Sequence, residues 1–183
     1  MNNLQLNTVE QFDTAIHLCR DVFEKKMQDY GPSWRIMRPE SITDQLLIKA
    51  KRIRSLEIMK ESKIQEGILP EFIGLVNYGV IGLIQLALGF SDVTDMTPLK
   101  ALELYDKYLA DTKELMVAKN HDYGEAWRLM RISSYTDLIL TKLNRIKAIE
   151  DNMGKVSVSE GIDSNYQDII NYALFGLIKL TGN

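Results

Sequence analysis

The residues best suited to chemistry lie in the second half of the sequence, where an acidic side chain follows two basic ones. Asp168 stands in the apolar stretch 166–180, and a carboxylate there is costly unless it is paired or bound to a cation. Lys142 and Arg145 are three residues apart and therefore neighbours on one helix face. A cleft with two cations and a carboxylate could bind phosphate together with a divalent ion. The alternative is a buried salt bridge from Asp168 to Arg145 or Lys142.

Further acids could complete a metal site around these residues. Asp137 lies on the same broad side of its helix as Lys142 and Arg145, because each residue turns an α-helix by about 100°. Carboxylates of this kind bind Mg²⁺, which then activates a bound water. We predict Asp168 and Glu160 as catalytic residues, and the predicted metal ligands are Asp137, Glu160 and Asp168. The competing interpretation is a capping box over residues 134–137 and an intrahelical ion-pair face.

The sequence contains an internal duplication. Residues 26–57 and residues 119–150 coincide at 16 of 32 positions when one is shifted by 93 residues. The match resumes at an offset of 94 and ends with residues 77–86 against residues 171–180. Packing alone would preserve the apolar positions, whereas here the polar ones recur as well. The recurring polar residues are therefore either structural signals or parts of a site.

Both copies carry the pattern Lys-x-x-Asp-Tyr-Gly-x-x-Trp. Its aromatic rings could frame a nucleobase, with the lysine and the aspartate at the mouth of a pocket. In the alternative, the glycine ends a helix, the rings pack and the aspartate caps the next turn. The predicted substrate-binding residues are Lys119, Asp122, Tyr123, Trp127, Lys142 and Arg145, with Lys26, Asp29, Lys49 and Arg52 in the first copy. Gly74 stands where the second copy has Asp168, so the second copy is better equipped for a carboxylate site.

Apolar residues recur at three- and four-residue spacing throughout, which predicts an all-α protein. Predicted helices cover residues 8–29, 33–38, 42–61, 70–88, 98–121, 126–132, 135–152 and 164–181. Gly31 ends the first helix, Pro70 opens the fourth, and Thr97 with Pro98 opens the fifth. Each half has about 90 residues and is marginal alone. We therefore predict one compact domain, a duplicated helical bundle with pseudo-twofold symmetry, whose repeats span residues 8–90 and 97–182.

Composition excludes several classes of protein. Of the 183 residues, 22 are basic and 25 acidic, a net charge of −3 that disfavours nucleic-acid binding. The single cysteine, Cys19, allows no disulfide framework and favours a reducing cytoplasm. The apolar windows 72–90 and 169–180 contain Asn77, Gln85, Asn171 and Lys179, so we expect core helices rather than membrane spans. No basic segment followed by an apolar run opens the sequence, so we expect no signal peptide. A homodimer is compatible with such a chain.

The repeated pattern, followed by Asp…Lys-x-x-Arg and then by Glu…Asp-x-x-Asn-Tyr, resembles the nucleotide modification associated domain 1 family. The chain is similar to the tandem form seen in Bacteroidetes-type bacteria, and the second copy matches best. Ser164 stands where the family has an acid, next to Asp163. The resemblance implies a small helical domain that handles a nucleotide, with no settled reaction.

Two hypotheses follow. In the first, the protein binds a nucleotide or a related phosphate compound, with Mg²⁺-dependent hydrolysis as an extension, in nucleotide modification or clean-up. In the second, it is a non-catalytic helical scaffold or interaction protein whose recurring polar residues are caps and ion pairs. The first requires Asp137, Asp168 and Lys142 to converge on a solvent-open cavity. The second requires them to pair and leave no cavity.

Overall fold

The computed structural model describes residues 7–59, 64–158 and 160–182, and for residues 64–66 the backbone alone. Within these ranges the chain is helical and has no strand, which confirms the predicted all-α class. Two 3₁₀ helices, Ser33–Ile36 and Ala126–Leu129, follow the first helix of each copy. The α-helices are α1 (Thr8–Tyr30), α2 (Pro39–Met59), α3 (Ile64–Leu88), α4 (Pro98–Tyr123), α5 (Ile132–Asp151) and α6 (Ile162–Thr181).

Several helix ends lie where the sequence predicts them and others do not. Gly31 ends α1, and the Thr97 side chain caps α4 ahead of Pro98. By contrast, α2 and α5 begin before Ser41 and Ser134, so neither serine is the residue at which its helix opens. The prediction that Pro70 opens a helix is wrong, because α3 begins at residue 64 and the proline lies inside it.

The two copies pack face to face along equivalent helices. α3 crosses α6, and α2 lies against α5, while α1 and α4 flank the pair. Two equivalent glycines make the α3–α6 crossing close: a Cβ on Gly82 would lie 2.8 Å from the Tyr166 ring, and one on Gly176 would lie 2.8 Å from the Phe72 ring. One continuous apolar cluster draws buried residues from both copies. The predicted duplicated bundle is therefore observed.

Many recurring polar residues connect the copies across the pseudo-twofold axis. Thr43 on α2 donates a hydrogen bond of 2.6 Å to Glu150 on α5, and Thr136 on α5 donates one of 2.6 Å to Glu57 on α2. These two contacts are the same contact with the roles of the copies exchanged, as in an isologous dimer interface. These residues therefore recur because each copy must hold the other.

Charged residues repeat this reciprocal arrangement at the surface. Lys147 lies 3.5 Å from Asp44, and the equivalent Arg54 lies 4.0 Å from Asp137. On the flanking helices, Arg20 of α1 pairs with Asp106 of α4 at 2.7 Å, and Lys113 of α4 pairs with Asp13 of α1 at 2.5 Å. Exposed pairs of this kind contribute at most about 1 kcal/mol each, so their main effect is to fix the register of the copies.

The reciprocal glutamates make stability depend on pH. Burial, opposed in part by the threonine hydrogen bonds, raises the pKa of Glu57 and Glu150 above the ordinary value of 4.5. Because both pKa values are higher in the folded state, the stabilisation they give is complete below the unfolded value and is lost as pH rises through the folded value. At pH 7 the parent protein carries the cost of two charged, half-buried glutamates, which glutamine removes. We therefore expect Glu57→Gln/Glu150→Gln to raise the free energy of unfolding, relative to the parent, by more at pH 7 than at pH 4.5. Urea denaturation at both pH values measures this, and an equal change at both would contradict it.

One described helix passes a simple membrane-span test. The segment Gly67–Leu88 is long and apolar enough by length and composition, although 67% of the tested window is buried inside the protein. The prediction that polar residues such as Asn77 and Gln85 make this segment too polar to span a membrane is therefore wrong as far as composition is concerned. Its packing is nevertheless that of a core helix, because α6, α2 and α4 cover it.

Candidate functional site

A pocket opens in the second copy between the C-terminal end of α4, the second 3₁₀ helix and helices α5 and α6. Its volume is about 280 Å³. The lining is aromatic and apolar with a few polar side chains, as in small-molecule sites. The lining residues are Met116, Lys119, Asn120, Tyr123, Ala126, Trp127, Met130, Tyr135, Leu138, Asp168, Asn171, Tyr172 and Phe175.

Asp168 lies in the wall of this pocket between two lysines. Its carboxylate oxygens lie 2.6 Å from Lys119 Nζ and 2.7 Å from Lys142 Nζ. The side chains of Asp168 and Lys142 are only 7% and 13% exposed, whereas that of Lys119 is 44% exposed. The ion pair to Lys142 is the structural alternative considered for Asp168. The cluster carries one more positive than negative charge, and Lys119 is the member that solvent reaches.

The charge of Lys119 is held in place by its surroundings. Partial burial lowers the pKa of Lys119. The hydrogen bond from Lys119 to Asp168 and the negative charges of Asp168 and Glu160 raise it by more, so the pKa lies above its ordinary value. The amine is therefore cationic over the physiological pH range. It can meet an anion at the pocket mouth without first gaining a proton.

Trp127 is fixed by hydrogen bonds to the backbone of its own 3₁₀ helix. Tyr135 donates to the Trp127 carbonyl, and Lys179 donates to the carbonyls of Arg128 and Met130. The indole also stacks on Phe175, with ring centres 4.6 Å apart and planes 13° from parallel. These contacts give the pocket a rigid aromatic wall.

Two buried polar atoms of the pocket residues lack a hydrogen-bond partner among the described residues. They are the indole Nε1 of Trp127, which can only donate, and the side-chain oxygen Oδ1 of Asn171, which can only accept. The Asn171 amide nitrogen does have a partner, since it donates to the carbonyl of Thr112 at 3.3 Å. Buried polar groups are normally paired, and leaving one unpaired costs about 1–3 kcal/mol.

The first copy has an equivalent and larger pocket of about 540 Å³, lined by Lys26, Lys49 and Trp34 among others. Its carboxylate comes from Glu71, one helical turn before Gly74, the residue that aligns with Asp168. Glu71 lies 3.5 Å from Lys49 Nζ and 3.0 Å from the Arg52 guanidinium. The carboxylate missing at Gly74 is thus replaced by one that sequence inspection did not single out. The alignment of the copies contains a signal for it. Glu71 in the first copy aligns with the uncharged Asn165, whereas Asp168 in the second copy aligns with the uncharged Gly74.

The other predicted site residues lie outside the main pocket. Asp122 is 77% exposed and contacts only His121 among the described residues, and Asp137 is 64% exposed beside Arg54 at the α2–α5 contact. Arg145 and Glu160 line a separate depression of about 650 Å³ after the end of α5. Asp29 is exposed on α1. Asp168 and Lys142 therefore lie together as an ion pair, with Asp168 in the pocket wall, and Asp137 lies apart from them.

The predicted metal ligands are not gathered. Across the described ranges, no three His, Cys, Asp or Glu side chains lie close enough to hold a metal ion together. Both oxygens of Asp168 already accept from ammonium groups, and Asp137 lies on another face. The three predicted ligands therefore do not fit a Mg²⁺ site.

Comparison with protein families adds an assignment to this geometry. A family model described as nucleotide modification associated domain 1 matches residues 26–86 and residues 119–180, together more than half of the chain. The chain belongs to the nucleotide modification associated domain 1 family. The two matches confirm the tandem form, and each match begins at the lysine of its pocket, Lys26 or Lys119. Each nucleotide modification associated domain therefore contains the charged residues of one pocket. Comparisons with curated proteins and with solved structures return no match.

Proposed function

We propose that the pocket of the second copy binds a nucleotide or a related aromatic phosphate compound. The observation that supports this most is the presence, in one cavity, of a cationic mouth at Lys119 and of a rigid aromatic lining. The volume of about 280 Å³ is at the lower end of the roughly 300–1,000 Å³ typical of small-molecule sites. A single nucleotide suits that size. The family description points in the same direction.

Each part of the ligand has residues that suit it. Tyr172 and Tyr123, which is 73% exposed, flank the base, and the edge of Trp127, whose faces are covered by Phe175 and the Arg128 guanidinium, forms the wall behind it. Lys119 binds phosphate as a point charge at the rim, while Asp168 holds Lys119 and Lys142 in place. In this proposal Asp168 positions the lysines and does not act as a base, because both of its oxygens are already engaged.

Binding to the folded protein must raise its stability. At a ligand concentration of about 100 times Kd, the gain is about 2.7 kcal/mol, or roughly 5–10 °C in Tm for a chain of this size. We expect such a shift with at least one nucleotide, with or without Mg²⁺. Thermal-shift titration with nucleosides and with nucleoside mono-, di- and triphosphates measures it.

Two variants place the binding in this pocket. Lys119→Met is expected to weaken the binding of nucleotides more than that of nucleosides, because it removes a phosphate contact. Trp127→Phe is expected to weaken the binding of both, because it removes part of the aromatic wall. The control is Lys100→Met, an exposed lysine at the opposite end of α4, which should leave every shift unchanged. If Lys119→Met and Lys100→Met behaved alike, the ligand would lie elsewhere.

The scaffold hypothesis remains the second candidate because a specific observation favours it. The reciprocal contacts between the copies, such as Thr43 with Glu150 and Thr136 with Glu57, explain many recurring polar residues without a ligand. It predicts no thermal shift with any nucleotide at millimolar concentration. It does not explain the open cavity with a solvent-exposed lysine at its mouth.

A further inference from the structure

Two cavities of the second copy lie one helical turn apart along α5 and α6. In the wall of the proposed pocket, Lys142 of α5 pairs with Asp168 of α6. Arg145, three residues later on α5, and Asn165, three residues earlier on α6, line the depression of about 650 Å³. Since α5 and α6 pack antiparallel, both steps lead in the same direction, by about 4.5 Å along the helices. The depression therefore adjoins the pocket.

The charges of the two cavities act on each other's groups. Burial and the charge of Asp168 raise the pKa of the Tyr172 hydroxyl in the pocket, and the positive charges of Lys119 and Arg145 both oppose this rise. Conversely, Glu160, which lines the depression, is among the charges that contribute to the raised pKa of Lys119 at the pocket mouth. The pocket and the depression are thus neighbouring parts of one charged face.

The guanidinium of Arg145 has no counter-ion, although its counterpart in the first copy has one. Arg52 lies 3.0 Å from Glu71, whose side chain is only 12% exposed. The residue aligned with Glu71 is Asn165, so the second copy has no carboxylate at this position. Among the described residues, none forms an ion pair with Arg145 or with Lys155 beside it in the depression. An exposed cation therefore stands where the first copy has a salt bridge.

Space and charge both favour an extended anionic ligand on this face. At about 280 Å³ the pocket is at the lower end of the range for small-molecule sites, so a base with several phosphates must extend beyond it. The planar guanidinium of an arginine suits phosphate oxygens, to which it can donate two parallel hydrogen bonds. Four cations face two carboxylates across the two cavities, namely Lys119, Lys142, Arg145 and Lys155 against Asp168 and Glu160.

We infer that the ligand of the second copy is a nucleoside di- or triphosphate, whose base lies in the pocket and whose outer phosphates bind Arg145 in the adjoining depression. Lys119 binds the phosphate nearest the sugar, and Lys155 adds positive charge beyond it. This inference rests on the proposed function, whose ligand class it narrows. Arg145 is then the residue that distinguishes di- and triphosphates from monophosphates.

Isothermal titration calorimetry with the mono- and triphosphate of one nucleoside, chosen as the one with the largest thermal shift, tests this inference. We expect the parent to bind the triphosphate about tenfold more tightly, the effect of one hydrogen bond to a charged group. Arg145→Met should abolish this difference and leave the affinity for the monophosphate unchanged. The matched control is Arg52→Met, which removes the equivalent guanidinium of the first copy and should preserve the difference.

A second variant introduces the counter-ion of the first copy. Asn165→Glu places a carboxylate beside Arg145 and is expected to lower the affinity for the triphosphate about tenfold, by the same reasoning. Melting curves establish whether this variant is folded, and Arg145→Met decides the matter if it is not.

Inorganic tripolyphosphate, which lacks a base, should bind the parent more weakly than the nucleoside triphosphate. Equal affinity of the parent for the mono- and triphosphate, or a preference that survives Arg145→Met, would overturn the inference and leave the proposed function standing. Tripolyphosphate binding as tight as that of the nucleoside triphosphate would also overturn it, because the pocket would then take no part. If no nucleotide bound at all, the inference and the proposed function would both fail.

Discussion

Asp168→Asn is expected to lower the free energy of unfolding by about 3 kcal/mol, because removing one partner of a buried ion pair leaves an uncompensated charge. Asp168 and Lys142 are almost fully enclosed, and their charged atoms lie 2.7 Å apart. Lys119 can turn to solvent when the carboxylate is lost, but Lys142 cannot do so easily. Equilibrium urea denaturation monitored by circular dichroism measures the loss.

The double variant Asp168→Asn/Lys142→Met separates the cost of the stranded lysine from that of the lost carboxylate. Methionine has no charge to strand, so we expect the double variant to recover more than half of the lost stability. Asp122→Asn is the matched control, since Asp122 is 77% exposed and should change stability by less than about 0.5 kcal/mol. If Asp168→Asn lowered the free energy of unfolding as little as Asp122→Asn does, the Asp168–Lys142 ion pair would contribute little to stability.

Gly82→Ala and Gly176→Ala are each expected to destabilise the fold by about 1–3 kcal/mol, the usual cost of overpacking a core. In both, the added Cβ would lie 2.8 Å from a ring of the other copy, Tyr166 or Phe72, inside the α3–α6 crossing. Since these rings are fully buried, they cannot move aside without displacing their neighbours. Thermal and chemical denaturation of each variant measures the effect.

Gly67→Ala provides the control within α3. Its Cβ would lie 3.4 Å from Leu56 Cδ1, an ordinary contact, so the higher helix propensity of alanine should dominate. We expect Gly67→Ala to be neutral or to stabilise by up to about 1 kcal/mol. If all three variants behaved alike, helix propensity rather than the close crossing would determine their stability.

Most of the fold could be predicted from the sequence because helical periodicity and the duplication are both visible in it. The errors lie at helix starts, where local signals compete with tertiary packing. Ser41 and Ser134 have the spacing of a capping box, but α2 and α5 begin earlier. Pro70 costs α3 a backbone hydrogen bond, which the burial of that apolar helix offsets.

The site could be predicted only in part. In a duplicated sequence, a residue that holds the copies together and a residue that binds a ligand both recur in the two copies, so recurrence does not distinguish them. The apolar surroundings of Asp168 predict it as a site residue, and the three-residue spacing of Lys142 and Arg145 predicts Lys142. Asp137 recurs equally well, yet it lies at the contact between the copies. Mismatches between the copies are informative in another way, since Phe12 aligned with Tyr105 removes the partner of a buried amide oxygen in one copy only.

The reciprocal hydrogen bonds of α2 and α5 have a consequence for evolution. Thr43 with Glu150 and Thr136 with Glu57 are the pairings that two identical chains would make in a symmetric dimer. In such an ancestor, any change at one cavity would appear at once in the other. In a single chain that carries both copies, each cavity can change without the other, as the replacement of Asp168 by Gly74 in the first copy illustrates.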